Sequence, residues 1–256
     1  MALYRESGVV LRAIRLGEAD RIVTFMTEGR GKVRAVAKGI RKTKSRFGGR
    51  LEPTTHVALQ LYEGRELDTV TQAETLDHFR TIREDLARVG RATSVLEAVD
   101  QVAQEGEPNP ALYRMLVGAL RALAAHDSPA LVGAFYWKLL SQEGFHPLLD
   151  VCASCGSDGP FVAFDLSQGG VLCRACRRGR PVSVEAVALV GRMLGGHLAA
   201  VLAEPPSPAT AEVEALATRA VEHHIERRLK SAGSFLAGEG PPLVRADLPQ
   251  PGHLVD

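Results

Sequence analysis

The chain of 256 residues lacks any apolar run close to the roughly 20 residues that a membrane-spanning helix needs. Its first residues also lack the charged-then-apolar layout of a secretory signal. Cysteine occurs only four times, always within one metal-type motif, and this usage is typical of reducing compartments. We therefore expect a cytoplasmic protein with no membrane association, built as one large domain or two to three small ones.

Sequence motifs of several enzyme classes are missing as well. No G-x-x-x-x-G-K-[ST] loop is present, which argues against a P-loop ATPase. The H-E-x-x-H and G-x-S-x-G patterns are absent, and no H-x-E precedes the cysteines as in the zinc deaminases. These absences favour a binding protein without a catalytic centre.

What the sequence does contain is a strong concentration of positive charge. The net charge of the whole chain is only +1. Between Gly29 and Leu51, however, there is no acidic residue and there are nine basic ones: Arg30, Lys32, Arg34, Lys38, Arg41, Lys42, Lys44, Arg46 and Arg50. A cluster of one sign predicts binding to a polyanion, whereas an ordinary solvated face mixes both signs.

The four cysteines form a second motif, Cys152-x2-Cys155 and, seventeen residues later, Cys173-x2-Cys176. Two such turns supply the four thiolates of a tetrahedral zinc site, and the short apolar segments between them predict a hairpin of the zinc-ribbon type. Two disulfides or a redox pair are the alternatives. Four protein ligands leave no open position on the metal, so we expect the zinc to be structural.

Hydrophobic periodicity divides the chain into a β part and a helical part. Alternation with a period of two predicts about five short strands before residue 80, enough for a small closed barrel of OB type, although an SH3-like barrel uses a similar number. Spacings of three and four then predict helices. We expect an α+β multidomain fold, an OB-fold barrel followed by an α-helical domain that carries the ribbon, with these boundaries: 1–80 barrel, 81–150 helical, 151–180 ribbon, 181–236 helical and 237–256 flexible tail.

The basic cluster falls on the third predicted strand and on the glycine-containing loop after it. Because side chains alternate along a strand, Lys32, Arg34 and Lys38 are expected to project to one side. The loop adds the other candidate DNA contacts: Arg41, Lys42, Lys44, Arg46 and Arg50. Phe47 lies among them, where it either stacks on a base or anchors the loop to the barrel.

The segments 8–23 and 31–53, which include Gly17-Glu-Ala-Asp-Arg and Ala37-Lys-Gly-Ile-Arg-Lys, carry a family resemblance. The sequence resembles the RecO family of bacterial recombination mediators up to about residue 235. The resemblance implies an OB-fold that binds single- and double-stranded DNA, anneals complementary strands and acts at the nucleoid. It also implies partners: RecR, and single-stranded DNA-binding protein (SSB), from whose strands these proteins help to load RecA.

The acidic tail of SSB docks on the helical region of some members of that family. Candidates for such a site here are Arg114 and Arg121, with Leu112 and Leu116 nearby. Two other functions remain open on the residues alone. A nuclease would need an acidic metal site, for which Asp77, Glu84 and Asp85 are candidates, and a pure protein adaptor would use the barrel to bind a partner chain.

Overall fold

The computed structural model describes residues 2–231, and the predicted tail at 237–256 lies outside them. Five strands form a closed barrel in the order β1-β2-β3-β5-β4. Their bounds are β1 Leu3–Leu16, β2 Asp20–Thr27, β3 Gly31–Ala37, β4 His56–Tyr62 and β5 Asp68–Asp77. Strand β1 closes the barrel because it pairs antiparallel with both β2 and β4.

Strand β3 shows why this sequence closes into a small barrel. Gly31, Val33, Ala35 and Ala37 are buried, while the residues between them are half-exposed. The period of two therefore gives one face to the barrel interior, as the sequence predicts. At its far end β3 pairs with β5 in parallel, through Ala35 with Asp68. All other pairs in the barrel are antiparallel, and this five-stranded Greek-key arrangement confirms the OB-fold over the SH3-like alternative.

Seven helices follow the barrel within the described residues: α1 Arg80–Arg83, α2 Leu86–Val102, α3 Pro110–Ala125, α4 Leu131–Gln142, α5 Val184–Leu194, α6 Leu198–Ala203 and α7 Pro208–His224. Ser183 caps the start of α5, because its side chain accepts a hydrogen bond from the Ala186 amide. Helix α6 has only six residues, too few to show a periodic stripe in the sequence.

Between α4 and α5 lies a three-stranded sheet in the order β7-β6-β8, with β6 Phe161–Asp165, β7 Gly170–Cys173 and β8 Arg180–Pro181. Phe164 and Val171 of this hairpin are buried in the core of the helical region. Val9, Leu11 and Met26 of the barrel belong to the same core. Barrel, helices and hairpin are thus joined by one apolar cluster. Among the described residues, no helix is both long and apolar enough to span a bilayer.

Candidate nucleic-acid interface and metal site

The basic loop, residues 38–50, leaves β3 and folds back over the turn between β1 and β2. The amide of Gly39 donates to Asp20 Oδ1 at 2.7 Å, and the amide of Arg41 donates to the carbonyl of Ala19 at 3.0 Å. The Arg41 guanidinium donates to the Glu18 carbonyl at 2.7 Å. Gly39 has φ of +69°, a conformation that side chains disfavour, so glycine suits this sharp exit from the strand. These bonds fix the base of the loop on the barrel.

Phe47 is the second point at which the basic loop is held. Its side chain is 1% exposed and packs in the barrel core with Ile40 and Leu51. The ring cannot stack on a base while it occupies the core, so its burial contradicts the stacking prediction and agrees with the anchoring alternative. Arg46 lies over the outer side of this ring, with its guanidinium carbon 4.9 Å from the ring centre.

The loop presents its cations to solvent. Within residues 2–231 none of them forms an ion pair, and all six are exposed: Lys38, Arg41, Lys42, Lys44, Arg46 and Arg50. An exposed set of one sign without acidic partners is the charge distribution expected of a phosphate-binding surface.

Lys32 and Arg34 do not belong to that surface. Lys32 Nζ donates to the backbone carbonyl of Asp100 at 2.7 Å and lies 3.8 Å from its carboxylate. An Arg34 guanidinium nitrogen lies 3.5 Å from a Glu105 carboxylate oxygen. Both acids come from the end of α2 and the segment after it. The helical region therefore covers most of the Lys32 side chain and, with 35% of its side chain exposed, only part of Arg34, so neither is as open to solvent as Lys38.

Backbone hydrogen bonds also join strand β3 to the segment that follows α2. Lys32 donates its amide to the Gln104 carbonyl at 3.2 Å, and the Gly106 amide donates to the Lys32 carbonyl at 3.1 Å. Gly31 makes the close approach possible, since a Cβ atom there would lie 1.8 Å from the Glu107 carbonyl oxygen. Sequence patterns did not reveal Asp100 or Glu105, because a pairing across about 70 residues leaves no local signal.

The four cysteines come together at the ribbon, as predicted. Their Sγ atoms all lie within 4.8 Å of one another, and those of Cys155 and Cys173 are 3.7 Å apart. That separation matches the edge of a tetrahedron with metal–sulfur bonds of about 2.3 Å. All four cysteines are free thiols, which does not agree with the disulfide alternative. The donor set and its geometry fit a metal site.

Local hydrogen bonding already favours a thiolate at one of these positions. The Cys173 amide donates to Cys152 Sγ at 3.4 Å, and this bond is the main cause that lowers the pKa of Cys152 to about 6. In contrast, the Cys155 sulfur raises the pKa of Cys176 to about 11. Four adjacent thiols do not all ionise without a cation, so this cluster requires a bound metal to become fully anionic.

The candidate nuclease carboxylates have structural roles. Asp77 accepts from the Phe79 amide, Glu84 pairs with Arg80, and Asp85 caps α2 by accepting from the Arg88 amide. Within the described residues, the cysteine cluster is the group of three or more ligand side chains that is spaced to hold a metal ion.

The predicted peptide site on α3 also needs correction. Leu112 and Leu116 are fully buried and cannot line an open groove. An apolar groove of about 310 Å³ does run between α3, α4 and α6. Met115, Ala119, Phe135 and Leu202 are among its walls, and Lys138 supplies its cation.

Comparison with known proteins agrees with this architecture. The family model for the Recombination protein O N terminal matches residues 1–79, and that for the Recombination protein O C terminal matches residues 83–233. The chain is 46% identical over 242 residues to the DNA repair protein RecO of a Nocardioides species, which covers 90% of this chain and 97% of that protein. The chain belongs to the recombination protein O (RecO) family of DNA repair and recombination proteins.

Proposed function

We propose that this protein is a recombination mediator that binds single- and double-stranded DNA through the basic loop and anneals complementary strands. With RecR it helps to load RecA onto strands coated by SSB, in the cytoplasm at the nucleoid. The observation that carries this proposal is a set of six exposed cations, without ion pairs to any residue from 2 to 231, on an OB-fold barrel in a chain of the RecO family.

Annealing by such a surface needs no covalent step. Two DNA strands repel each other through their phosphates, and cations held between them lower that repulsion. The loop suits this role because its start and Phe47 are fixed to the barrel, while the side chains of Lys38, Lys42 and Lys44 are exposed to solvent. The DNA contacts we propose are therefore Lys38, Arg41, Lys42, Lys44, Arg46 and Arg50. Lys32 and Arg34 are reassigned to the contact between barrel and helices.

The cysteine cluster holds a zinc ion with a structural role. Four thiolates from two CxxC turns are the donor set of closed zinc sites, in which the metal has no free position for a substrate. The bound metal would tie the two turns of the ribbon together. Because Phe164 and Val171 of the ribbon hairpin lie in the main core, the zinc would stabilise the helical region through them.

The groove between α3, α4 and α6 replaces the original candidate for the SSB tail. A tail that is acidic and ends in apolar residues requires an apolar groove with a cation near it. The wall residues Met115, Phe135 and Leu202, with Lys138, supply both features. Binding of a peptide of this kind to the protein and to its Lys138→Glu variant tests the assignment.

The test of DNA binding is a triple variant in which Lys38, Lys42 and Lys44 become glutamate. Arg41 is left unchanged, because its guanidinium holds the β1–β2 turn. Loss of three phosphate contacts should reduce the slope of log K against log salt on single strands by about 2. The charge-conserving variant with arginine at the same three positions is the matched control. An unchanged slope in the glutamate variant would refute the loop as the interface.

The same triple variant, assayed for annealing, distinguishes the mediator from a pure protein adaptor. An adaptor with an incidental basic loop binds DNA weakly and loses no annealing activity when the three lysines are reversed. The mediator we propose loses annealing in the glutamate variant and retains it in the arginine control.

A further inference from the structure

One outer face of strand β1 is exposed beside the basic loop. Arg12, Ile14 and Leu16 lie on the same side of the strand and are exposed, Ile14 by 45% and Leu16 by 39%. At the Leu16 end of the strand, the Arg41 guanidinium contacts the carbonyls of Gly17 and Glu18. A polymer that binds along the basic loop and passes Arg41 would therefore next meet the exposed side chains of Leu16 and Ile14.

At its other end this face reaches a large cleft between the barrel and the helical region. Leu16 and Arg12 are four residues apart, or about 13 Å along an extended strand. The cleft has a volume of about 880 Å³. Arg12 and Pro53 line it on the barrel side, and Leu96 and Gln101 line it from α2. Four residues that follow α7 complete its wall: Arg227, Arg228, Lys230 and Ser231.

The lining of the cleft is strongly basic. Five basic side chains, Arg12, Lys32, Arg227, Arg228 and Lys230, face two acidic ones, Glu97 and Asp100. Asp100 is engaged with Arg12 and Lys32. Glu97 accepts bonds from the amides of Lys230 and Ser231 and from the Ser231 hydroxyl. Both carboxylates are therefore used within the protein.

The basic side chains that follow α7 make fewer contacts with acidic or polar groups. Arg227 donates to the amide oxygen of Gln101 at 3.3 Å. Across residues 2–231, the side chains of Arg228 and Lys230 take part in no ion pair, and both residues are exposed. The end of α7 thus adds a second group of cations, separated from the basic loop by an apolar stretch.

We propose that a single DNA strand runs from the basic loop across Ile14 and Leu16 into this cleft, where Arg227, Arg228 and Lys230 bind its phosphates. The proposal rests on the DNA-binding function proposed above and extends the interface onto the helical region. A single strand is the occupant that fits, since its unstacked bases can contact Ile14 and Leu16, whereas those of a duplex are paired inside it. Phosphate contacts at both ends then hold the strand across the apolar stretch.

The experiment compares the full chain with its Arg228→Glu/Lys230→Glu variant on oligo-dT of two lengths. An oligomer of about 6 nucleotides is short enough to be held by an OB-fold site, and one of about 25 exceeds it. We expect the variant to lose about tenfold in affinity for the long oligomer and nothing for the short one. The matched control is Arg114→Glu/Arg219→Glu, which reverses two exposed charges away from the cleft.

Each other outcome has a definite meaning. If both lengths bind the cleft variant as they bind the wild type, or if both are weakened equally, the extended path is wrong. If the wild type binds neither oligomer, the proposed function itself fails. A measurement on the wild type avoids any folding defect of the variant: the long oligomer should protect the Lys230 amine from acylation, and equal labelling with and without DNA would overturn the proposal.

Discussion

The guanidinium Nε of Arg12 lies 2.8 Å from Oδ2 of Asp100, and this ion pair joins strand β1 to helix α2. The Asp100 side chain is 11% exposed, whereas that of Arg12 is 51% exposed. The Lys32 side chain of β3 donates a hydrogen bond to the backbone carbonyl of the same aspartate. A single helical residue therefore binds cations from two strands of the barrel.

Removal of the aspartate should cost more stability than removal of the arginine. Asp100→Ala leaves Lys32 largely buried without its acidic neighbour, and we expect a loss of about 2–3 kcal/mol. Arg12→Ala removes a half-exposed partner and should cost about 1 kcal/mol or less. Urea denaturation of the two variants checks this order, and equal losses would show that the contact of Asp100 with Lys32 adds no stability beyond the Arg12 pair.

Phe47→Ala should strongly destabilise the barrel. The ring is almost fully buried beside Leu51, and truncation of such a residue typically costs about 3–5 kcal/mol. Phe47→Leu retains most of the apolar volume and should cost about 1–2 kcal/mol. Chemical denaturation provides the measurement. A neutral effect of the alanine variant would mean that the ring is exposed in solution, which would restore the base-stacking role.

Loss of the metal should be visible through the single tryptophan. Trp137 on α4 meets Phe164 of the ribbon edge-to-face, with ring centres 5.7 Å apart. We expect Cys155→Ser, or treatment with a strong chelator, to release one zinc per chain, change the Trp137 emission and lower the unfolding midpoint by roughly 10 °C. Ser154→Ala, within the same CxxC turn, is the control that should retain the metal. Full stability of a zinc-free protein would contradict the structural role.

His56 should make stability depend on pH. Burial, followed by the charge of Arg121, lowers the pKa of His56 below its usual value of about 6.5, and its Nε2 lies 2.7 Å from the Tyr113 hydroxyl oxygen. Below that usual value the unfolded chain takes up a proton that the folded chain resists. The stability of the wild type should therefore fall as the pH is lowered through about 6.5.

The matched variant is His56→Gln, which cannot titrate. The difference in unfolding free energy between wild type and variant should shrink from about pH 7.5 to about pH 5.5. A difference that is constant over this range, measured by urea denaturation at several pH values, would show that His56 titrates alike in both states.

Local patterns were sufficient to predict most of the barrel and the clustering of the four cysteines. The alternation from Gly31 to Ala37 identifies a strand because one face of it must be buried, and each CxxC turn brings two sulfurs together within four residues. The cap that Ser183 provides for α5 is local in the same way, since its partner amide is only three residues away.

Long-range contacts were not predictable in this way. Whether Lys32 is free or covered depends on Asp100, which reaches it only after the helical region packs on the barrel. Phe47 shows the same limit, since an aromatic residue in a basic loop suits both a ligand contact and a core anchor. Its neighbours in space, rather than in sequence, decide between them.

The burial of Phe47 also bears on the entropy of the DNA binding that we propose for the basic loop. A loop attached only at its two ends samples many conformations, and all of that freedom is lost when DNA orders it. The buried ring divides this loop into two shorter arms whose backbones are already restricted. The cations on each arm can then adjust to an irregular polymer of any sequence at a small entropic cost.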